Sequence, residues 1–240
     1  PDVEVFVVEA SSFRLASTRW FRPAVAVWLN FAPDHLDAHT SLASYEAAKA
    51  SIWAHLDPTS GVAIASAGDP VVLANRNPDV TTITFGAEGV EADATVVDGW
   101  LCLPDGTQLL RVDDLPRRFP HDISNALAAS AAASAAGATV EGICRTLRSF
   151  RGLHHRVELV GEVDGVRWFD DSKATTPHAV VSALGAFESV VLMAGGRNKG
   201  LDMSPLGTKV PPVRAVVAIG EAAAEVESVF AGRCEVRTVP

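Results

Sequence analysis

The chain of 240 residues is 48% apolar with a formal charge of -9, enough apolar material to fill the core of one large domain or two modest ones. Its 20 Lys and Arg are scattered among 29 Asp and Glu, which excludes the concentrated basic face that nucleic acid or an anionic membrane surface requires. Cys102, Cys144 and Cys234 are odd in number, far apart and without metal-ligand spacing, so they read as reduced thiols. With no apolar run of about 18 residues to span a membrane, the expected location is the cytoplasm.

Val5-Phe6-Val7-Val8 is a doubly apolar run of the kind found in buried parallel strands, and residues 24–29 repeat it. Residues 11–22 form the expected crossover. A helical stretch with apolar Leu42, Tyr45, Ala48 and Ile52 follows, then strands at 61–66 and 80–85. This alternation predicts a right-handed parallel sheet. From 93 to 112, short alternating runs broken by Asp98-Gly99 and Asp105-Gly106 predict antiparallel strands joined by two-residue turns. Residues 121–137 and 140–150 read as two helices, the first closed by Gly137. Near Arg151-Gly152 the pattern restarts. Runs at 157–163 and 166–169 flank the turn Asp164-Gly165, and 190–193 and 213–219 are further buried strands separated by helical segments. The fold class is α/β, with one domain over 1–151 and a second over 152–240. The chain opens at Pro1 straight into an apolar run and closes at Pro240 as a strand is completed; an excerpt of a longer protein is expected.

In parallel α/β sheets ligands gather beyond the carboxyl ends of the strands, so the polar residues there are the candidates. Glu9 follows the first apolar run; Asn30 follows the second and leads into Pro33-Asp34-His35-Leu36-Asp37. A carboxylate and an imidazole on one edge suit a divalent metal that also binds phosphate oxygens, while a solvated Glu and a helix-starting Asp-His pair fit the same spacing. Lys49, taken alone, is a snorkelling lysine on a helix. Asn125, one turn beyond His121-Asp122, either caps its helix or meets a ligand. Residues 170–177 end a strand and open a helix, so Lys173, the hydroxyls of Ser172 and Thr175, and backbone N–H groups face an edge suited to an anion. Thr175 or Thr176 before Pro177 is also a good cap. Gly195-Gly196-Arg197-Asn198-Lys199-Gly200 has the makings of a carboxylate or phosphate cradle. Arg156 lies at the inferred domain junction, in reach of a nucleotide. His154 and His155 point to opposite sides if that segment is extended, which argues against a shared metal. No Gly-Lys dipeptide occurs, hence no P-loop; a phosphate loop is expected upstream of Pro1.

In chain order, Glu9-Ala10-Ser11-Ser12-Phe13, Asn30 with Pro33 to Asp37, Tyr45 to Lys49, His121 with Asn125, His155-Arg156, Asp171-Ser172-Lys173-Ala174-Thr175, and Gly195-Gly196 with Lys199-Gly200 together resemble the Mur ligase family. The resemblance spans essentially the whole chain. Its Asp-Ser-Lys-Ala-Thr run is similar to that of the D-glutamate-adding members, where other Mur ligases and folylpolyglutamate synthases resemble Asp-Tyr-Ala-His, Asp-Ser-Tyr-Asn or Asp-Gly-Ala-His.

The resemblance implies a parallel-sheet central ATPase-type domain followed by part of a Rossmann-like domain, and an ATP-dependent, ADP-forming amide ligase of cell-wall precursor synthesis. The substrates it implies are UDP-N-acetylmuramoyl-L-alanine and D-glutamate, the enzyme acting as a monomer. Glu9 would hold one Mg2+, and His35 with Lys49 a second, the lysine carrying a CO2-derived carbamate. Asn125, Arg156 and Asp171 match positions that hold the adenine, phosphates and ribose; Lys173, Thr175 and Lys199 match positions that hold the incoming glutamate. Asp122 stands where the family often has Asn, and Thr176 stands where Asn commonly follows the Ser-Lys-Ala-Thr run. The residues alone leave open another amide ligase of the same family, or a non-catalytic relative. Without a phosphate loop, these 240 residues are not expected to turn over by themselves.

Overall fold

The computed structural model describes residues 3–35, 38–87, 89–198 and 200–239. The chain forms two compact units: Pro1–Phe31, His35–Leu115 and Ser124–Arg148 make the first, and Ala32–Asp34, Pro116–Ile123 and Ser149–Pro240 the second.

In the first unit β1 (Val25–Trp28), β2 (Val62–Ser66) and β3 (Thr81–Phe85) pair in parallel in that order. The central strand has Ala63, Ile64 and Ala65 all buried, as a parallel strand covered on both faces requires. Between β1 and β2 runs α2 (Leu42–Ala50), started by a capping box in which Ser41 and Ser44 each accept the other's backbone N–H. The chain then tightens into a 3-10 turn at Ser51–Trp53, whose Trp53 Nε1 donates to the Ala26 carbonyl at 3.1 Å and locks the helix to β1. A short α1 (Ser12–Ser17) precedes β1, and α3 (Pro70–Ala74), capped by Asp69, links β2 to β3.

The run Val5-Phe6-Val7-Val8 departs from its expected strand. It forms no helix and pairs in no ladder, and Val7 is 97% exposed. A parallel strand needs a neighbour for its backbone groups and a covering layer for both faces; among the described residues this run has neither.

β4 (Thr95–Val97), β5 (Trp100–Cys102) and β6 (Gln108–Arg111) form the expected antiparallel piece. Asp98-Gly99 is a two-residue turn with both residues at positive φ. The second connection is not. Leu103 and Thr107 still pair at 3.0 Å, leaving Pro104-Asp105-Gly106 as a three-residue loop with Gly106 at φ +83° and a register shift beside it. Pro104 favours the turn, and Gly106 takes the left-handed position. Two helices follow, α4 (Pro120–Ala135) and α5 (Val140–Ser149).

The second unit opens with the hairpin β7 (Glu158–Val163) and β8 (Val166–Asp170), turned at Asp164-Gly165. Then α6 (Pro177–Leu184), β9 (Val190–Gly195), β10 (Val213–Ile219), α7 (Ala223–Phe230) and β11 (Glu235–Val239) build a parallel sheet ordered β11-β10-β9. Leu184, Leu206, Val213, Val216, Val226 and Phe230 make its core. On the opposite face Val191, Met193, Ile219 and Val239 are exposed. The expected helix between β9 and β10 is instead a 3-10 segment, Ser204–Lys209, which Pro211-Pro212 close off, since proline disfavours helix in the residue before it and supplies no amide donor.

Candidate active site

Ser11, between Glu9 and the first residues of α1, supplies its N-cap, accepting the Arg14 N–H at 3.4 Å. This leaves Glu9 exposed in the unpaired segment just ahead of the helix. Phe13 projects from α1 onto two imidazoles, edge-on to His35 at 4.8 Å and stacked on His39 at 5.6 Å. His39 also shares a 3.0 Å hydrogen bond with the Ser12 hydroxyl. Tyr45, 4% exposed, is the hub: His35, His39 and Phe31 lie 6.1, 5.1 and 5.3 Å from its ring. One helical turn on, Lys49 Nζ lies 5.5 Å from the same ring, the i, i+4 spacing that brings side chains together on a helix. The structure thus joins His35 and Lys49 through Tyr45. His35 has φ +55°, a left-handed residue where the loop must reverse to present the ring. Among the described residues, neither Glu9 nor His35 belongs to a group of three potential metal ligands.

In the second unit the polar residues converge around a short turn. His155 and Val157 have φ of +64° and +47°; for a β-branched residue such a backbone costs on the order of 1–3 kcal/mol and persists only where its surroundings fix it. They do so here. Asp171 Oδ1 accepts the Val157 N–H at 3.1 Å, Glu158 Oε2 accepts the His155 N–H at 2.8 Å, and the His155 carbonyl accepts the Lys173 N–H at 3.2 Å. The His155 ring bonds Asp170 Oδ2 at 2.7 Å, and that carboxyl, which also accepts the Ser172 N–H, is held down at about 2. Burial pushes the Asp171 carboxyl up, opposed by the Val157 N–H. Asp171, Arg156 and Lys173 are gathered at one corner, with the Arg156 and Lys173 side chains exposed.

The extended reading of His154-His155 is corrected. The segment is a turn, and both residues meet Glu158, through His154 Nδ1 at 2.9 Å and the His155 N–H. The group His155, Glu158 and Asp170 is the one set of three potential metal ligands among the described residues. Each of its donors already makes a hydrogen bond within the protein, which accounts for the grouping as a clamp on the turn.

Thr176, not Thr175, caps α6, accepting the Ala179 N–H at 3.3 Å. Thr175 remains exposed just ahead of it. Asn125 lies within α4 rather than at its start, exposed and in the first unit. Sequence reasoning missed His39, Glu158, Asp170 and Arg117. The four-residue spacing of His39 from His35 was a usable signal; Arg117, in an irregular segment before a helix, offered none.

Two family models match this chain: the Mur ligase middle domain over residues 1–133, and the Mur ligase glutamate ligase domain over residues 155–239. The chain belongs to the Mur ligase family. It is 43% identical over 96% of its length to the UDP-N-acetylmuramoylalanine–D-glutamate ligase of Frankia casuarinae, covering 50% of that protein. The fold is shared with MurF from Acinetobacter baumannii, with a TM-score of 0.73 at 23% identity over 95% of this chain and 52% of that one. It is also shared with the MurF ligase of Thermotoga maritima in complex with ADP, with a TM-score of 0.66 at 21% identity over 90% of this chain and 53% of that one. The chain spans about half the length of the curated relatives it matches.

Arg197 is turned to Glu221 in a bidentate pair, Nε and Nη2 each 2.9 Å from a carboxylate oxygen, so its charge is already matched at the surface. Lys199, with Leu36 and Asp37 of the His35 motif, lies outside the described residues. In this Mur ligase Asp122 is held by Arg117 at 3.0 Å.

Proposed function

We propose that these residues are the central part of an ATP-dependent, ADP-forming ligase that joins D-glutamate to UDP-N-acetylmuramoyl-L-alanine, in the cytoplasm and as a monomer. The observation that carries this reading is the corner built by His155-Arg156 and Asp170-Asp171-Ser172-Lys173. A strained turn held from several sides exposes an arginine and a lysine beside a half-buried carboxylate. The D-glutamate ligase name of a relative 43% identical over 96% of the chain supports the amino-acid substrate. On this reading residues 1–151 are the central nucleotide-binding domain and 152–240 begin the glutamate-binding domain.

The donors fit Mg2+ on one condition. Glu9 supplies a carboxylate and His35 an imidazole, but a Lys49 ammonium would repel a divalent cation. Carbamylation by CO2 replaces that charge with anionic oxygens, the ligands a hard cation takes. Glu9 would then hold one Mg2+, and His35 with carbamylated Lys49 a second, and these ions would neutralise charge on phosphate oxygens.

The reaction divides into two steps. The alanine carboxylate takes the terminal phosphoryl group of ATP, releasing ADP. The D-glutamate amine then attacks the acyl carbon; the C–N bond forms, a proton leaves the amine, and the C–O bond breaks to release phosphate. Asn125, Arg156 and Asp171 would contact adenine, phosphates and ribose, with the guanidinium matching charge on the transferred group. Lys173, Thr175 and Lys199 would hold the glutamate carboxylates so that its amine faces the acyl carbon.

The test uses a ligase of full family length carrying these residues. ATP consumption should depend on D-glutamate and not on L-lysine, meso-diaminopimelate or a folate; dependence on any of those instead overturns the reading. Lys49→Ala should nearly abolish turnover, with partial rescue by short-chain carboxylic acids. Unchanged turnover in that variant would remove the metal assignment.

A further inference from the structure

We propose that Arg117 and Asp122 are a positioning pair that fixes the backbone of His155-Arg156-Val157 and so sets where the Arg156 guanidinium reaches. The proposal rests on the reading that Arg156 serves a nucleotide phosphate. Arg117 lies ahead of α4 and Asp122 in its first turn, with side chains only 15% and 16% exposed. Arg117 Nε donates to Asp122 Oδ2 at 3.0 Å; on its other edge Nη1 donates to the Arg156 carbonyl at 2.8 Å and the Val157 carbonyl at 3.2 Å. One planar group therefore ties a carboxylate to two successive carbonyls, a fork geometry no other side chain reproduces.

The surroundings are shaped for it. The guanidinium lies 5.3 Å from the Phe119 ring centre, and Phe119 packs at 5.5 Å on Phe187, which in turn packs at 5.0 Å on Phe169 beside Asp170. Gly152, at φ +94°, leaves room that a Cβ would fill, since that atom would fall 2.5 Å from Arg117 Nη1.

Every backbone polar group of His155, Arg156 and Val157 then has a partner. The His155 N–H goes to Glu158 and its carbonyl to the Lys173 N–H; the Arg156 N–H goes to Leu153; the Val157 N–H goes to Asp171. Arg117 takes the two carbonyls that remain. A complete set of partners around two left-handed residues, under an exposed arginine side chain, is what delivers that side chain to a fixed place. Asp122 touches none of the turn; it orients Arg117.

The alternative, a half-buried ion pair with no bearing on the turn, is separated by four variants in a ligase of full family length. Arg117→Met takes the guanidinium away from half-buried Asp122, leaving it only His121 Nε2 at 3.6 Å, and lowers the thermal midpoint. Adding Asp122→Asn removes the stranded charge and should return most of the midpoint. Amide exchange over residues 153–158 and at Lys173 should remain faster by about tenfold or more in both Arg117→Met and the double variant. Arg117→Lys should keep the midpoint and still fail to restore protection, since an ammonium is a point donor. Asp122→Asn alone should cost less protection than Arg117→Met. The apparent KM for ATP should rise by about tenfold in the double variant with kcat changed by less than about threefold.

Exchange is read without turnover, so it decides the pair even if the enzyme shows no D-glutamate-dependent activity and the functional reading falls. Full recovery of protection in the double variant, or in Arg117→Lys, would overturn the proposal. So would a double variant that stays unprotected yet binds and uses ATP as the parent does.

Discussion

The two candidate corners of this protein are built from different materials. In the first unit His35, His39 and Lys49 are arrayed around the buried Tyr45 ring, so positions are set by the shapes of packed aromatic groups. In the second unit His155, Arg156 and Asp171 are placed by hydrogen bonds to backbone groups of a turn with two left-handed residues. Packing tolerates some change of chemistry as long as volume is kept. A hydrogen-bonded turn tolerates changes of volume at its exposed side chains, but no loss of a partner at its backbone.

The sharpest way to break this comparison is Tyr45→Ala. Removing a hub that is 4% exposed should destabilise the first unit by roughly 3–5 kcal/mol, the range for deleting a large buried ring. Tyr45→Phe keeps the packing and should cost far less. Urea unfolding followed by Trp28 and Trp53 fluorescence would read both, and equal losses would mean that the hydroxyl, not the ring, holds the corner.

A smaller effect is expected at the start of α6. Thr176→Ala removes the acceptor for the Ala179 N–H and should cost about 1 kcal/mol. Thr175→Ala, one residue earlier and exposed, should cost little in stability. Midpoints of denaturant unfolding would check the pair, and the reverse ranking would move the cap.

The smallest effect is a pH dependence. Burial holds the His121 imidazole below its ordinary value of 6.5, against the pull of Asp122. The folded state therefore binds this proton less readily than the unfolded chain. Its stabilising contribution is complete above pH 6.5 and is lost as pH falls through the lowered value. Asp171 has the opposite sign, because burial raises its carboxyl: its contribution is complete below 3.8 and fades as pH rises through the raised value. Unfolding midpoints should fall on acidification below pH 6.5 in the parent, and that slope should flatten in His121→Gln. A slope unchanged by the substitution would assign it to other groups.

Period and turn chemistry determined much of this protein directly. Residues 61–66 and 213–219 are apolar on both faces and became the central strands β2 and β10; Asp98-Gly99 and Asp164-Gly165 became tight turns because they tolerate positive φ. Asp171, Lys173 and Arg156 could be picked out as candidates because polar residues at strand ends and domain junctions stand out against apolar runs. What the sequence could not determine depended on partners distant along the chain. Val5 to Val8 reads as a strand, yet a strand exists only where another pairs with it, and here the run stays exposed. The helix expected between β9 and β10 gave way to prolines whose effect depends on where the next strand must begin. Arg117 carries no signal at all: its role lies in carbonyls 39 and 40 residues away, and only the folded chain brings a guanidinium to them.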